Sequence, residues 1–293
     1  MVGAAVLVTS AVAAPAAQAD TGCEWTRQNL PLPAGQRPVG SVNGDGDWLA
    51  TSGDEAAVVW HEGVPETVEL PPGRGVADIS RNGVLLSFGE DGLWRDQEKL
   101  EELPGAGYST VHSINAAGDV TGMSGGPLVV WTAGSTAPHT LEGTDDGQWW
   151  RSVGIDDHGN VVGGAGSRYH VWNKEGERTA LEPLQGHGEV YATLVRDGRI
   201  YGEARGDGGW ISVEWNLRGE VVRDMPGGAV QAANGVGDEL FMWQENWAVR
   251  RADGRVDPLP LYPRDLAFLT VLTDAGELIS GRYYEGPVRV FCA

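Results

Sequence analysis

Ser113-Ile114-Asn115-Ala116-Ala117-Gly118-Asp119-Val120 contains an apolar run, a tight turn and the start of a second apolar run, which together predict a β-hairpin. The same short phrase returns as Gly154-Ile155-Asp156-Asp157-His158-Gly159-Asn160-Val161 and as Ala232-Ala233-Asn234-Gly235-Val236-Gly237-Asp238-Glu239. Counting outward in both directions, the turn glycines are Gly46, Gly83, Gly118, Gly159, Gly198, Gly237 and Gly276, separated by steps of 35 to 41 residues. A period of that length marks a repeat array. After each glycine comes a tryptophan position, held by Trp60, Trp94, Trp131, Trp172 and Trp215. Arg250 takes it in the sixth unit and Phe291 in the seventh. A second glycine turn and a Leu-Pro or its equivalent close most units, so each offers four short apolar segments.

Four antiparallel strands repeated about every forty residues make the blade of a β-propeller, and radial stacking removes the edge-strand problem. Seven glycines predict an all-β chain of seven four-stranded blades. The tryptophans read as packing between blades, where burying one ring gains roughly 2 to 3 kcal/mol. The seventh unit ends one strand short, at Pro287 to Ala293, while the segment Cys23 to Gly35 resembles the outer-strand segment His61 to Gly73. The N-terminal strand is therefore expected to complete the last blade. Cys23 and Cys292, the only two cysteines, are expected to form a disulfide across that closure.

Residues 2 to 19 carry no charge and end in Ala17-Gln18-Ala19, the small-x-small pattern of a signal-peptidase site. The expectation is a signal peptide over 1–19, cleavage after Ala19, a single propeller domain over 20–293, and secretion. No other stretch is apolar enough to span a membrane. A net charge of −20, with Lys99 and Lys174 the only lysines, repels a phosphate backbone and argues against nucleic acid as a partner. Acidity at this level reads as a solubility device, and a monomer is expected.

The running pattern, carried best by Asn115, Gly118, Asp119, Gly122, Trp131, Gly134 and Leu141, resembles the HAF-type extracellular repeats of bacterial secreted proteins. Asp156, Gly159, Gly163, Trp172 and Leu181 match it closely too, while Val129-Val130-Trp131 stands where the His-Ala-Phe triplet would be. The resemblance covers essentially all of the chain after residue 19, implies a secreted propeller, and carries over no catalytic residue.

Candidate chemistry is sparse. Gly122-Met123-Ser124-Gly125-Gly126 has the form of a nucleophile elbow, but it falls in a hairpin with no helix following, so Ser124 reads as a loop residue. Asn43-Gly44-Asp45-Gly46-Asp47 has the alternating oxygens of a calcium loop, yet Trp48 replaces the sixth-position glycine and Asp54 the twelfth-position glutamate. A plain repeat turn explains it better, and calcium is the one cofactor that merits a test. The six histidines show no zinc spacing.

The irregular insertions fall in loops that a propeller gathers on one face: connections between blades, and hairpins between second and third strands. There lie Trp149, Trp150, Arg151, Arg168, Tyr169, His187, Tyr191, Trp210, Tyr283 and Tyr284. Rings that stack, with arginines and carboxylates that read hydroxyls and charges, suit a carbohydrate or protein contact. The leading expectation is a non-enzymatic propeller binding an extracellular polysaccharide or protein. The rival is a hydrolase or lyase with a metal or carboxylates, such as Asp145 and Asp146, at the channel mouth.

Overall fold

A computed structural model describes residues 24–38, 42–53, 56–90, 92–206, 209–225, 228–243, 246–259, 269–282 and 286–292. It contains seven separate four-stranded antiparallel sheets, the blades of a β-propeller. Their innermost strands are Asn43–Asp45, Gly75–Ile79, Ser109–Ile114, Arg151–Ile155, His187–Arg196, Val230–Ala233 and Leu269–Leu272, which number blades 1 to 7. The outermost strand of blade 7 is Trp25–Asn29, paired with Gly286–Cys292 so that Trp25 lies opposite Cys292. The ring thus closes as the sequence predicts. The signal segment and Cys23 lie outside the described residues.

All seven turn glycines have positive φ, between 62° and 93°, a conformation that side-chain-bearing residues seldom adopt. In five blades a polar side chain opens the turn and accepts the backbone N–H four residues on. The acceptors are Ser80, Asn115, Asp156, Asn234 and Thr273, at 2.8 to 3.1 Å. Six inner strands also share a β-bulge at one register position, for example between Val111 and Ser113 and between Ser152 and Gly154.

Among the described residues there is no single core. Seven apolar clusters occur, one for each seam between neighbouring blades. Trp60, Trp131, Trp172 and Trp215 are fully buried in four of these seams. Each indole N–H donates to a carbonyl just past the leucine that ends the preceding blade: Pro31, Glu101, Glu142 and Glu182, at 2.7 to 3.1 Å. Shape and hydrogen bond together fix the angle between blades.

Two positions differ from the sequence reading. In blade 7 the residue paired with Leu278 is Val290, so Val290 and not Phe291 fills the seam position. Trp25 of the closing strand packs against that seam and donates to the Pro258 carbonyl at 3.1 Å. In blade 2 the third strand turns early, and Trp94 is only half-buried, with the Arg74 guanidinium 3.5 Å from its ring centroid. Buried Arg95 bridges that seam instead, donating to the carbonyls of Gly118, Thr132 and Ser135. Arg250 does stand in the tryptophan position of blade 6, paired with buried Glu239 at 2.8 Å.

Candidate functional site

Inner strands meet at the centre of the ring and line a channel of about 150 Å³. Its turn-side end is closed by charge. Arg196 reaches Asp45 at 2.5 Å and Asp197 at 3.7 Å, while Arg81 lies 3.4 to 3.7 Å from Asp45, Asp157 and Asp274. Asp157 also accepts the Ala116 N–H, and Asp274 accepts that of Gly235, so turns from all seven blades join one plate. Asp45, the central oxygen donor of the calcium-like stretch, is thus held by two arginines. Among the described residues no group of three His, Cys, Asp or Glu side chains is arranged to hold a metal.

Above that plate lies Asp78, whose carboxylate accepts the N–H groups of Ile79 at 2.9 Å and Ile114 at 3.2 Å. Burial raises its pKa from 3.8 to about 7, against the pull of those two N–H groups and of Arg196 and with a push from Asp45. Ser113 does the same work one blade on, accepting the Ile155 N–H at 2.9 Å. The Asp78 contacts are therefore a blade-to-blade stitch. Ser124 likewise serves the fold: its buried hydroxyl bonds Ser109 at 2.8 Å and accepts the Leu103 N–H at 3.0 Å.

The opposite end, where blade connections and second-to-third-strand hairpins emerge, is built differently. Exposed aromatic rings gather there: Phe88, Tyr108, Trp149 and Trp210. Trp149, 71% exposed, stacks on Tyr108 with centroids 5.6 Å apart and planes within 15°. Its neighbour Trp150 points the other way, as alternation along an extended chain requires. Trp150 is buried against His170 and Trp172, and its indole N–H donates to Asp146 at 3.0 Å. That bond, with two more from Gln148, holds the Asp146 pKa below the ordinary carboxylate value. Gln148 in turn accepts from Arg168 at 2.8 Å, tying the connection to the hairpin of blade 4.

Blade 5 stands higher than its neighbours. Its second and third strands pair from Ile200–Trp215 out to Gly206–Gly209, two residues further than the matching ladder of blade 4, or about 7 Å. This raised wall carries Tyr191 and Trp210, edge to face at 5.1 Å, with Arg205 over the Trp210 ring at 5.6 Å. Glu189 sits 3.6 Å from Arg205. Tyr169 meets Tyr191 at 5.9 Å but is buried, and burial raises its phenol pKa although Arg151 hydrogen-bonds to it. His112, a bulge residue of blade 3, has its pKa lowered by burial and by Arg151.

Of the ten residues picked from the sequence, Trp149, Arg151, Arg168 and Trp210 are exposed on this face, and His187 and Tyr191 are partly so. Trp150 and Tyr169 are corrected to buried supports, since their rings face blade seams. Tyr283 and Tyr284 lie outside the described residues. Sequence reading missed Gln148, which links Asp146 to Arg168, and Phe88, half-exposed at the end of a hairpin strand. Neither carries a signal of its own in the repeat.

Fold and site together define a seven-bladed β-propeller with one closed and one decorated end. No protein-family model matches the sequence and no curated protein matches it, so the HAF-type resemblance rests on the repeat pattern alone. Solved structures do match. A streptogramin B lyase is similar over 92% of this chain and 98% of its own, at 12% identity and a TM-score of 0.55. A catalytically inactive virginiamycin B lyase from Staphylococcus aureus, with quinupristin, matches over 91% and 99%, at 14% identity and a TM-score of 0.54. A GH74 enzyme from Niastella koreensis has 15% identity and a TM-score of 0.59, over 87% of this chain and 43% of that one. An extracellular domain from a one-component system of B. thetaiotaomicron has 12% identity and a TM-score of 0.56, over 90% and 39%. At such identities the likeness is one of fold.

Proposed function

We propose that this chain is a secreted, non-enzymatic β-propeller that binds an extracellular polysaccharide or protein on its decorated face. The observation that carries the reading is the gathering of Phe88, Tyr108, Trp149 and Trp210, exposed, at that one end. Exposed rings lose little conformational entropy on contact and bury much area. Pull-downs on immobilised extracellular polysaccharides and on extracellular protein fractions test it, using wild type and Trp149→Ala side by side. Capture that the variant loses supports the face as the site; equal capture by both contradicts it.

Catalysis at the channel is the second reading, and the raised pKa of Asp78 favours it. Against it, the Asp78 oxygens are engaged by backbone N–H groups, and about 150 Å³ is below the roughly 300 Å³ at which ligand pockets begin. A lyase and a glycoside hydrolase are among the similar folds, but neither transfers a residue at this identity.

Export of this kind includes cleavage after Ala19, a Cys23–Cys292 bridge and action as a monomer. Among the described residues no helix is long and apolar enough to cross a membrane. N-terminal sequencing of the exported protein reads the first point, and non-reducing peptide mass mapping the second. Repeating the pull-downs with chelator tests calcium at the Asn43 turn.

A further inference from the structure

The decorated face presents two aromatic platforms at different heights. Tyr108 and Trp149 form the lower one, stacked nearly parallel, and the blade 5 wall bears the other, Tyr191 with Trp210. Each is fixed before any ligand arrives. Trp149 is followed by the buried, hydrogen-bonded Trp150, and Trp210 is flanked by Tyr191 and Arg205. Such preorganisation removes much of the entropy loss of binding.

The polar and charged groups around these platforms already have partners among themselves, by hydrogen bond at Asp146, Gln148 and Arg168 and by ion pair without a hydrogen bond at Glu189. Arg168 donates to Gln148, Gln148 and Trp150 donate to Asp146, and Arg205 lies beside Glu189. A ligand that relied on full charges would have to displace these pairs. A polyanion would also approach a chain of net charge −20, and a polycation would meet Arg151, Arg168 and Arg205 on arrival. Hydroxyl groups face no such opposition. A paired carboxylate keeps lone pairs to offer, a paired guanidinium keeps N–H groups, and a hydroxyl can use either.

We infer that the ligand is an uncharged polysaccharide, its sugar rings stacked on Trp149 and Trp210 and its hydroxyls bonded to Asp146, Gln148 and Arg168. This rests on the decorated face being a binding surface. Two platforms on different blades suit a chain of sugars better than a single one.

Native electrophoresis through gels containing neutral polysaccharides (mixed-linkage β-glucan, galactomannan, dextran) or charged ones (alginate, carboxymethylcellulose, chitosan) tests the inference. Expected is retardation by a neutral polysaccharide, insensitive to salt, with affinity reduced about tenfold or more in both Trp149→Ala and Trp210→Ala. Urea unfolding of the two variants, unchanged from wild type, shows that the loss is local. Retardation by charged polysaccharides alone, abolished by the variants, overturns the ligand class and leaves the face standing. Neutral retardation that neither variant alters overturns the face, and with it the placing of the sugar rings on Trp149 and Trp210. Passage through every gel without retardation overturns the polysaccharide inference, and the protein arm of the pull-down then decides the face.

Discussion

The two ends of the channel are made from the same seven repeats and have opposite character. At the turn end, loops are short and near-uniform, and their charged residues are drawn into ion pairs with one another: Asp45, Arg81, Asp157, Arg196, Asp197 and Asp274 form one plate, in which Arg81 Nη2, Arg196 Nε and Asp197 Oδ2 are buried without a hydrogen bond. At the other end, connections vary in length, blade 5 overhangs, and rings face solvent. A surface that pairs its own groups has little left for a partner, whereas exposed rings gain by being covered. The contrast teaches that the repeat builds the closed end and departures from the repeat build the open one.

Changes at the two ends should therefore separate stability from binding. Trp172→Ala, in a seam beneath both ends, sets the scale: removing a fully buried ring is expected to lower unfolding free energy by about 4 kcal/mol in urea titrations. Arg196→Ala at the closed end leaves the mostly buried Asp45 without its shortest ion pair, and a loss of about 3 kcal/mol is expected, with ligand binding intact. A neutral effect on stability would break the view of that plate as a structural lock. Trp149→Ala with Trp210→Ala reverses the pattern, changing stability by less than about 0.5 kcal/mol while binding falls.

A further effect concerns pH. Asp78 has its pKa raised on folding, so between about pH 4 and pH 7 the folded protein holds a proton that the unfolded chain has released. Its contribution to stability therefore falls as pH rises through that window. Asp78→Asn should flatten this part of the stability profile, measured as urea midpoints across the range; an unchanged slope would show that Asp78 titrates as it does in the unfolded chain.

How much of this was legible in the sequence follows from what each feature depends on. The blades were, because a left-handed glycine and a polar turn opener are local requirements that repeat. Ring closure was legible too, since a missing strand at one end matches a spare one at the other. Requiring an aromatic residue at that position misassigned Phe291 and Trp94, whereas pairing from Leu278, the second residue after the turn glycine, gives Val290 in blade 7. The plate of Asp45, Arg81, Asp157, Asp197 and Asp274 was overlooked although those residues recur around the turns, because their contacts form only once the ring closes. On the open face, the exposure of Trp149 and burial of Trp150 depend on which side of one extended segment faces a seam, and the insertion has no repeat partner to set that register.

Hydroxyl-radical footprinting of the oxidised protein, with and without the polysaccharide that retards it most, shows which end of the propeller holds the ligand. Expected is protection at Phe88, Tyr108, Trp149 and Trp210, with no change at Val236 on the turn end. Protection at Val236 with those four rings left reactive would contradict the decorated face as the site.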